Sequence, residues 1–189
     1  MFVVIFEVRP AAGRMEAYLA HAAALRPELI AIDGFIDNPR YRSLDRADVI
    51  LSLSTWRDEK SLIRWRTHAS HHAAQIAGYR EVFADYHLRV GEVAEDTEMD
   101  AGHGLRAQRL DTTETGGPLV TVIEASVPMR VAGAESYAAI LSPDLHLLLA
   151  DGAIRPASPS GARRRLIRVI RDYGRFDRRE APQFMPPRA

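Results

Sequence analysis

Residues 51–78, LSLSTWRDEKSLIRWRTHASHHAAQIAG, decide how the chain is read, because a strand runs directly into a helix there. Residues 49–56 alternate in the β manner, with Val49, Leu51, Leu53 and Thr55 on one face and Ile50, Ser52, Ser54 and Trp56 on the other. Asp58 can cap a helix over 58–67, and Leu62, Trp65 and Ala69 follow at helical spacing. Ser70 is placed to cap a second segment over 71–77, which Gly78 would close. Three histidines, His68, His71 and His72, stand at this junction. On one continuous helix they would share a face, but no carboxylate sits at H-E-x-x-H spacing, so no metal site is expected.

Working outward, residues 2–9 (FVVIFEVR) read as a buried strand stopped by Pro10 and Gly13. Met15, Tyr18, Ala22, Leu25 and Leu29 mark a helical stripe over 14–32, with Pro27 breaking or kinking its end. A strand over 35–44 must bend at Asn38-Pro39, and residues 79–93 are predicted as one long strand. The order β-α-β-β-α-β is the ferredoxin-like arrangement, an antiparallel sheet with helices on one face. Residues 94–118 form an acidic and glycine-rich linker, with Glu92, Glu95, Asp96, Glu98 and Asp100 at its start. The pattern then resumes in contracted form over 119–175: a strand at 119–127, a helix at 132–141, a strand at 145–150 and a strand at 164–173. Pro156, Ser158, Pro159, Ser160 and Gly161 replace a second helix, so any chemistry belongs to residues 1–93, and 176–189 form a tail. The expected fold class is therefore α+β, with two ferredoxin-like repeats in one chain and the second contracted.

With 47% hydrophobic residues over 189 positions, the chain can bury a core. Its 25 basic and 25 acidic residues give no bulk-charge reason for a nucleic-acid or membrane partner. Eight arginines lie within 163–179, and their alternation with Leu166, Ile167, Val169 and Ile170 reads as a strand whose cations meet acids such as Glu92–Asp100. There is no cysteine, hence no disulfide, Fe–S or thiolate zinc chemistry, and with no leader-like or membrane-spanning run a cytoplasmic location is the default expectation.

The motif S-T-W-R-D-E at 54–59, Trp65-Arg66, His68, His71, Ala74-Gln75, Tyr79 and the strand over 86–93 resemble the antibiotic biosynthesis monooxygenase family of the dimeric α+β barrel superfamily. The ending 169–183 also resembles the tail of two-repeat members. The resemblance implies two sheets joined as a barrel, either within one chain as a monomeric pseudo-dimer or through a homodimer, with a cleft between sheet and helices. It implies oxidation of a small electron-rich aromatic (phenol, anthrone or quinol) by dioxygen with no cofactor. Trp56 matches the strand-ending tryptophan of the anthrone-type oxygenases, whereas their asparagine four residues earlier is Ser52 here and their helical tyrosine is Leu62. Trp65 matches the helical tryptophan of haem-degrading members, but their axial histidine falls at Gln75, which makes haem cleavage the lesser alternative.

On this reading Trp65 packs against the substrate ring and His68 or His71 assists proton removal. Trp56, Phe83 and Tyr86 are candidate walls, and Asn38, Tyr41 and Ser52 candidate polar contacts, with Tyr86 or Asn38 holding an oxygen substituent. A non-catalytic ligand-binding or assembly module of the same fold is the alternative that Ser52, Leu62 and the contracted second half support.

Overall fold

A computed structural model describes residues 1–99, 118–183 and 185. Its elements run β1 (Phe2–Pro10), α1 (Met15–Ile30), β2 (Phe35–Asp37), β3 (Arg40–Ser43), β4 (Ile50–Trp56), α2 (Glu59–Thr67), α3 (Ala69–Ala77), a π-helical turn (Gly78–Val82) and β5 (Phe83–Asp96). The second half contributes β6 (Leu119–Ala125), β7 (Ala134–Ala139), β8 (His146–Asp151) and β9 (Arg163–Gly174).

Every pairing is antiparallel, and the order β1-β5-β9-β6-β8-β7-β3-β4 closes on itself because β4 also pairs with β1. Eight strands thus form a barrel with no free edge between them. β2 and β3 lie end to end along one edge of β4, Phe35 opposite Trp56 and Tyr41 opposite Leu51, separated where Asn38-Pro39 interrupts the ladder. The two halves meet at two seams, β5 with β9 and β3 with β7.

Strand alternation builds two layers of core from this one sheet. Inward-facing residues from all eight barrel strands fill the interior, among them Val3, Ile5, Leu51, Leu53, Val93, Val122, Leu149 and Ile167. The opposite face of β1, β4 and β5 is covered by the helices: Leu29 and Leu62 pack on Phe2, Trp56 and Val90, and Tyr18 on Val8 and Ile50. Asp58 caps α2, its carboxylate accepting from the Ser61 amide at 2.8 Å. Ser61 is fully buried and can sit there because Gly34, at φ +88°, has no Cβ; one would come within 2.1 Å of the Ser61 hydroxyl oxygen.

The interior also holds a reciprocal pair of polar clusters. Tyr41 on β3 donates to Glu124 on β6, and Tyr137 on β7 donates to Glu7 on β1 at 2.8 Å. Each glutamate has its arginine: Arg165 on β9 for Glu124, and Arg89 on β5 for Glu7 at 2.7 Å. Burial works against ionisation of Glu7, but Arg89, Tyr137 and Arg46 together outweigh it and hold the carboxyl below its ordinary pKa. Both phenols are pushed up by burial and then by the neighbouring carboxylate charge, so they remain donors.

Several expectations need correction. Residues 134–139 form β7 rather than part of a helix over 132–141, because Tyr137 and its neighbours pair with both β3 and β8 and close the barrel. The strand expected from residue 79 starts at Phe83, residues 78–82 still being helical, and it continues to Asp96, carrying Glu95 and Asp96 into the sheet. The remainder of the expected linker, residues 100–117, lies outside the described residues. Arginine pairing does follow the expected pattern, with Arg163 on Asp96, Arg164 on Glu95 and Arg168 on Glu92. No helix of the described residues is long and apolar enough to cross a membrane.

Candidate functional site

Between the outer face of β1, β4 and β5 and the helices lies a pocket of about 220 Å³. Alternation decides its floor: Val4 and Phe6 come from β1, Ser52, Ser54 and Trp56 from β4, and Tyr86, Leu88 and Val90 from β5. Helix α1 contributes Tyr18, His21 and Leu25, α2 contributes Leu62, Trp65 and Arg66, and α3 contributes His71 and Gln75. Residues from the end of the chain close one side, with Tyr173, Arg178, Gln183 and Met185 in the lining. Arg178 bonds the Tyr86 hydroxyl and the Gln183 carbonyl, and Gln183 donates to Gln75 at 2.9 Å.

The histidine junction explains the chemistry available. His68 has an extended backbone (φ −61°, ψ 132°), so the helix breaks at this residue, which becomes the N-cap of α3. Ser70 therefore lies inside α3 rather than capping it, and Gly78 continues right-handed into the π-helical turn rather than ending the helix. A close approach requires glycine there, since a Cβ on residue 78 would sit 2.4 Å from the Phe83 ring. Breaking the helix at His68 leaves the Trp65 carbonyl without its usual partner. That oxygen instead accepts from the His68 amide at 3.1 Å and from His71 Nδ1 at 2.9 Å.

A carbonyl can only accept, so His71 carries its proton on Nδ1 and keeps a lone pair on Nε2. Burial lowers its pKa to about 4, and the neighbouring His68 and His72 push the same way, so the ring is neutral near pH 7. The imidazole lies flat on Trp65, centroids 4.3 Å apart and planes inclined by 14°. This is an oriented neutral base against an aromatic wall in a mainly apolar pocket.

Of the residues singled out from sequence, Trp65, His71, Asn38, Ser52, Trp56, Phe83 and Tyr86 are brought together in the lining. Ser52 donates to the Asn38 side chain at 2.7 Å and Trp56 to Ser54 at 2.9 Å. His68 and His72 are not in the lining; His68 stacks on Trp65 at 5.7 Å and turns Nδ1 toward Glu28 at 3.3 Å. Tyr41 belongs to the barrel interior, fully buried with its hydroxyl on Glu124, because it faces opposite to its neighbour Arg40, which does line the pocket. Among the described residues no three His, Asp or Glu side chains converge as a metal site requires. Sequence reasoning missed Tyr18, His21, Arg40 and the four residues from the chain end, whose approach depends on long-range pairing.

A family model described as antibiotic biosynthesis monooxygenase matches residues 1–77. The jasmonate monooxygenase ABM of Pyricularia oryzae is 45% identical over an alignment of 213 residues that covers 99% of both chains. Among solved structures, an anthrone oxidase-like protein covers 96% of each chain at 11% identity with a TM-score of 0.40. A Pseudomonas aeruginosa protein covers 47% of this chain and 89% of its own at 16% identity, with a TM-score of 0.42. The full-length identity to the Pyricularia enzyme, together with the match over the half that carries the pocket, makes this chain a member of the antibiotic biosynthesis monooxygenase family.

Proposed function

We propose that the protein is a monooxygenase that oxidises a small enolisable or phenolic compound with dioxygen in the pocket of its first half, using no haem, metal or flavin. The observation that carries this reading is the neutral His71, held by the Trp65 carbonyl and laid on the Trp65 ring inside an apolar cavity. His71 Nε2 removes a proton from a carbon–hydrogen bond beside a carbonyl, or from a phenol, and the resulting anion gives an electron to dioxygen. Recombination forms a carbon–oxygen bond. A hydroperoxide at a methylene carbon then loses water, so that R–CH2–R′ plus O2 becomes R–CO–R′ plus H2O without an outside reductant. A simple hydroxylation would take two further electrons and two protons from an added reductant of the NAD(P)H or ascorbate class.

The Pyricularia relative's name makes jasmonate, a cyclopentanone acid, the first substrate to test. The second reading, an anthrone, phenol or quinol, draws support from the flat Trp65–His71 wall and the cluster of Phe6, Phe83 and Tyr86. Jasmonates and anthrones share an acidified carbon–hydrogen bond beside a carbonyl, which is what an imidazole base needs. Haem does not suit the residues present: at the position of the axial histidine stands Gln75, whose amide oxygen accepts from Gln183. We further read the chain as two repeats of one unit, a pseudo-dimer within a single chain, on the reciprocal Tyr41–Glu124 and Tyr137–Glu7 bonds.

The test is oxygen uptake by chelator-treated protein with jasmonic acid, anthrones, hydroquinones and catechols, with isotope-labelled dioxygen and mass analysis of the product. Label in the product, lost in Trp65→Ala and His71→Ala, supports the reading. Hemin consumption in a separate arm with reductant would instead select haem chemistry. Tight binding without any oxygen uptake would select the non-catalytic module.

A further inference from the structure

The pocket is electropositive in a chain whose charges otherwise balance. Arg40, Arg66 and Arg178 line it and, among the described residues, no aspartate or glutamate does, although the chain has 25 basic and 25 acidic residues. Elsewhere many arginines meet carboxylates, as Arg89 meets Glu7 and Arg163 meets Asp96. Inside the pocket Arg178 is held by neutral acceptors, the Tyr86 hydroxyl and the Gln183 carbonyl, and Arg40 faces the Tyr18 hydroxyl. The Nε of Arg66 and that of Arg40 are buried with no hydrogen-bond partner among the described residues. Burial draws the Arg66 pKa down, Tyr173 and Glu59 oppose this, and Arg171 adds like-charge pressure. A buried Arg66 Nε–H without a partner, in a pocket lined by three arginines and by no carboxylate among the described residues, favours the entry of an anion.

Resting on the reading of this pocket as the substrate site, we infer that Arg66 determines specificity by holding the carboxylate of a small organic acid whose ring lies against Trp65 and His71. A guanidinium presents paired donors in a planar fork that fits a carboxylate, and partial exclusion of water strengthens the contact. A carboxylate stays ionised at neutral pH, where a phenol or an enolisable ketone is neutral, so it enters already charged and leaves the proton at the reacting carbon to His71. Arg66 then anchors one end of the substrate while His71 acts at the other.

Calorimetric titration of the full chain tests this without turnover, using jasmonic acid against its methyl ester and a naphthoic acid against its methyl ester. The wild-type protein should bind each acid at least about tenfold more tightly than its ester, the scale of a charge-assisted pair. Arg66→Gln should remove that margin, with an unchanged circular dichroism spectrum and unfolding midpoint showing that the variant is folded, and Arg66→Lys should keep part of it. Equal affinity of acid and ester in the wild type for both pairs, or failure of all four to bind, overturns the inference. So does a margin that survives Arg66→Gln and disappears in Arg178→Gln or Arg40→Gln. An acid preference without oxygen uptake leaves the anchor standing and removes the monooxygenase reading. Uptake without an acid preference does the reverse.

Discussion

The two halves of the barrel differ in what covers their outer faces. In the first, α1, α2 and α3 stand over β1, β4 and β5 and enclose a pocket; in the second, Ile154 and Ala162, from the stretch between β8 and β9, and Met129, after β6, lie on Ile123 and Leu148. The interior is shared equally, with residues from all eight barrel strands in one cluster. The proposed function therefore assigns chemistry to the cover of the first half and stability to the shared sheet, and experiment can separate the halves on that basis.

The largest expected effect falls on the cover of the first half. His71→Ala should lower kcat/KM by about 10²-fold, the low end for a positioned base, because a pKa near 4 makes this imidazole a weak one. Leu141→Ser, at a second-half position that is 90% exposed, should leave it unchanged. Oxygen uptake measures both, and an unaffected His71 variant would dissolve the functional asymmetry. Next come the shared interior positions: Leu53→Ala and Leu149→Ala should each cost about 2–5 kcal/mol in denaturant unfolding, within one transition. A Leu149 variant that melts only one half would show two independent cores.

Tyr41→Phe and Tyr137→Phe should each cost about 1–3 kcal/mol, since each leaves a largely buried glutamate short of a donor, and similar losses would support the proposed reading of the halves as two repeats. A further effect concerns pH. With the His71 pKa near 4 in the folded protein, kcat/KM should be flat through neutrality and fall only as pH approaches 4. The same lowered pKa makes the unfolded chain bind this proton first. Its stabilising contribution is therefore complete above about 6.5, the ordinary histidine value, and shrinks as pH falls toward 4. Comparison of wild-type and His71→Ala unfolding midpoints at pH 4.5 and 7.5 reads this difference.

Much of the first half was legible because strand alternation at 49–56 and the Asp58 cap are local signals. The pocket floor followed from the same alternation, which places Ser52 and Trp56 with the helices. Tyr41 was misplaced because the parity of a strand as short as β3 is set by its partners, not by its own pattern. Residues 134–139, AESYAA, contain helix formers, and only pairing on both edges makes them a strand. The three pocket arginines were indistinguishable in sequence from the other cations. Their gathering around a pocket that no carboxylate lines, among the described residues, emerges only when the chain end folds back beside α2 and α3.

The exchange of Tyr41 and Tyr137 across the seams bears on how the protein could be dissected. Each half supplies the phenol that donates to the other's largely buried carboxylate, while the arginine that balances the charge comes from the carboxylate's own half, so a half on its own loses one donor from its polar cluster. A gene split between the halves would be expected to yield fragments that are insoluble apart yet complement one another on co-expression, since the seams β5–β9 and β3–β7, rather than the covalent connection, specify the assembly.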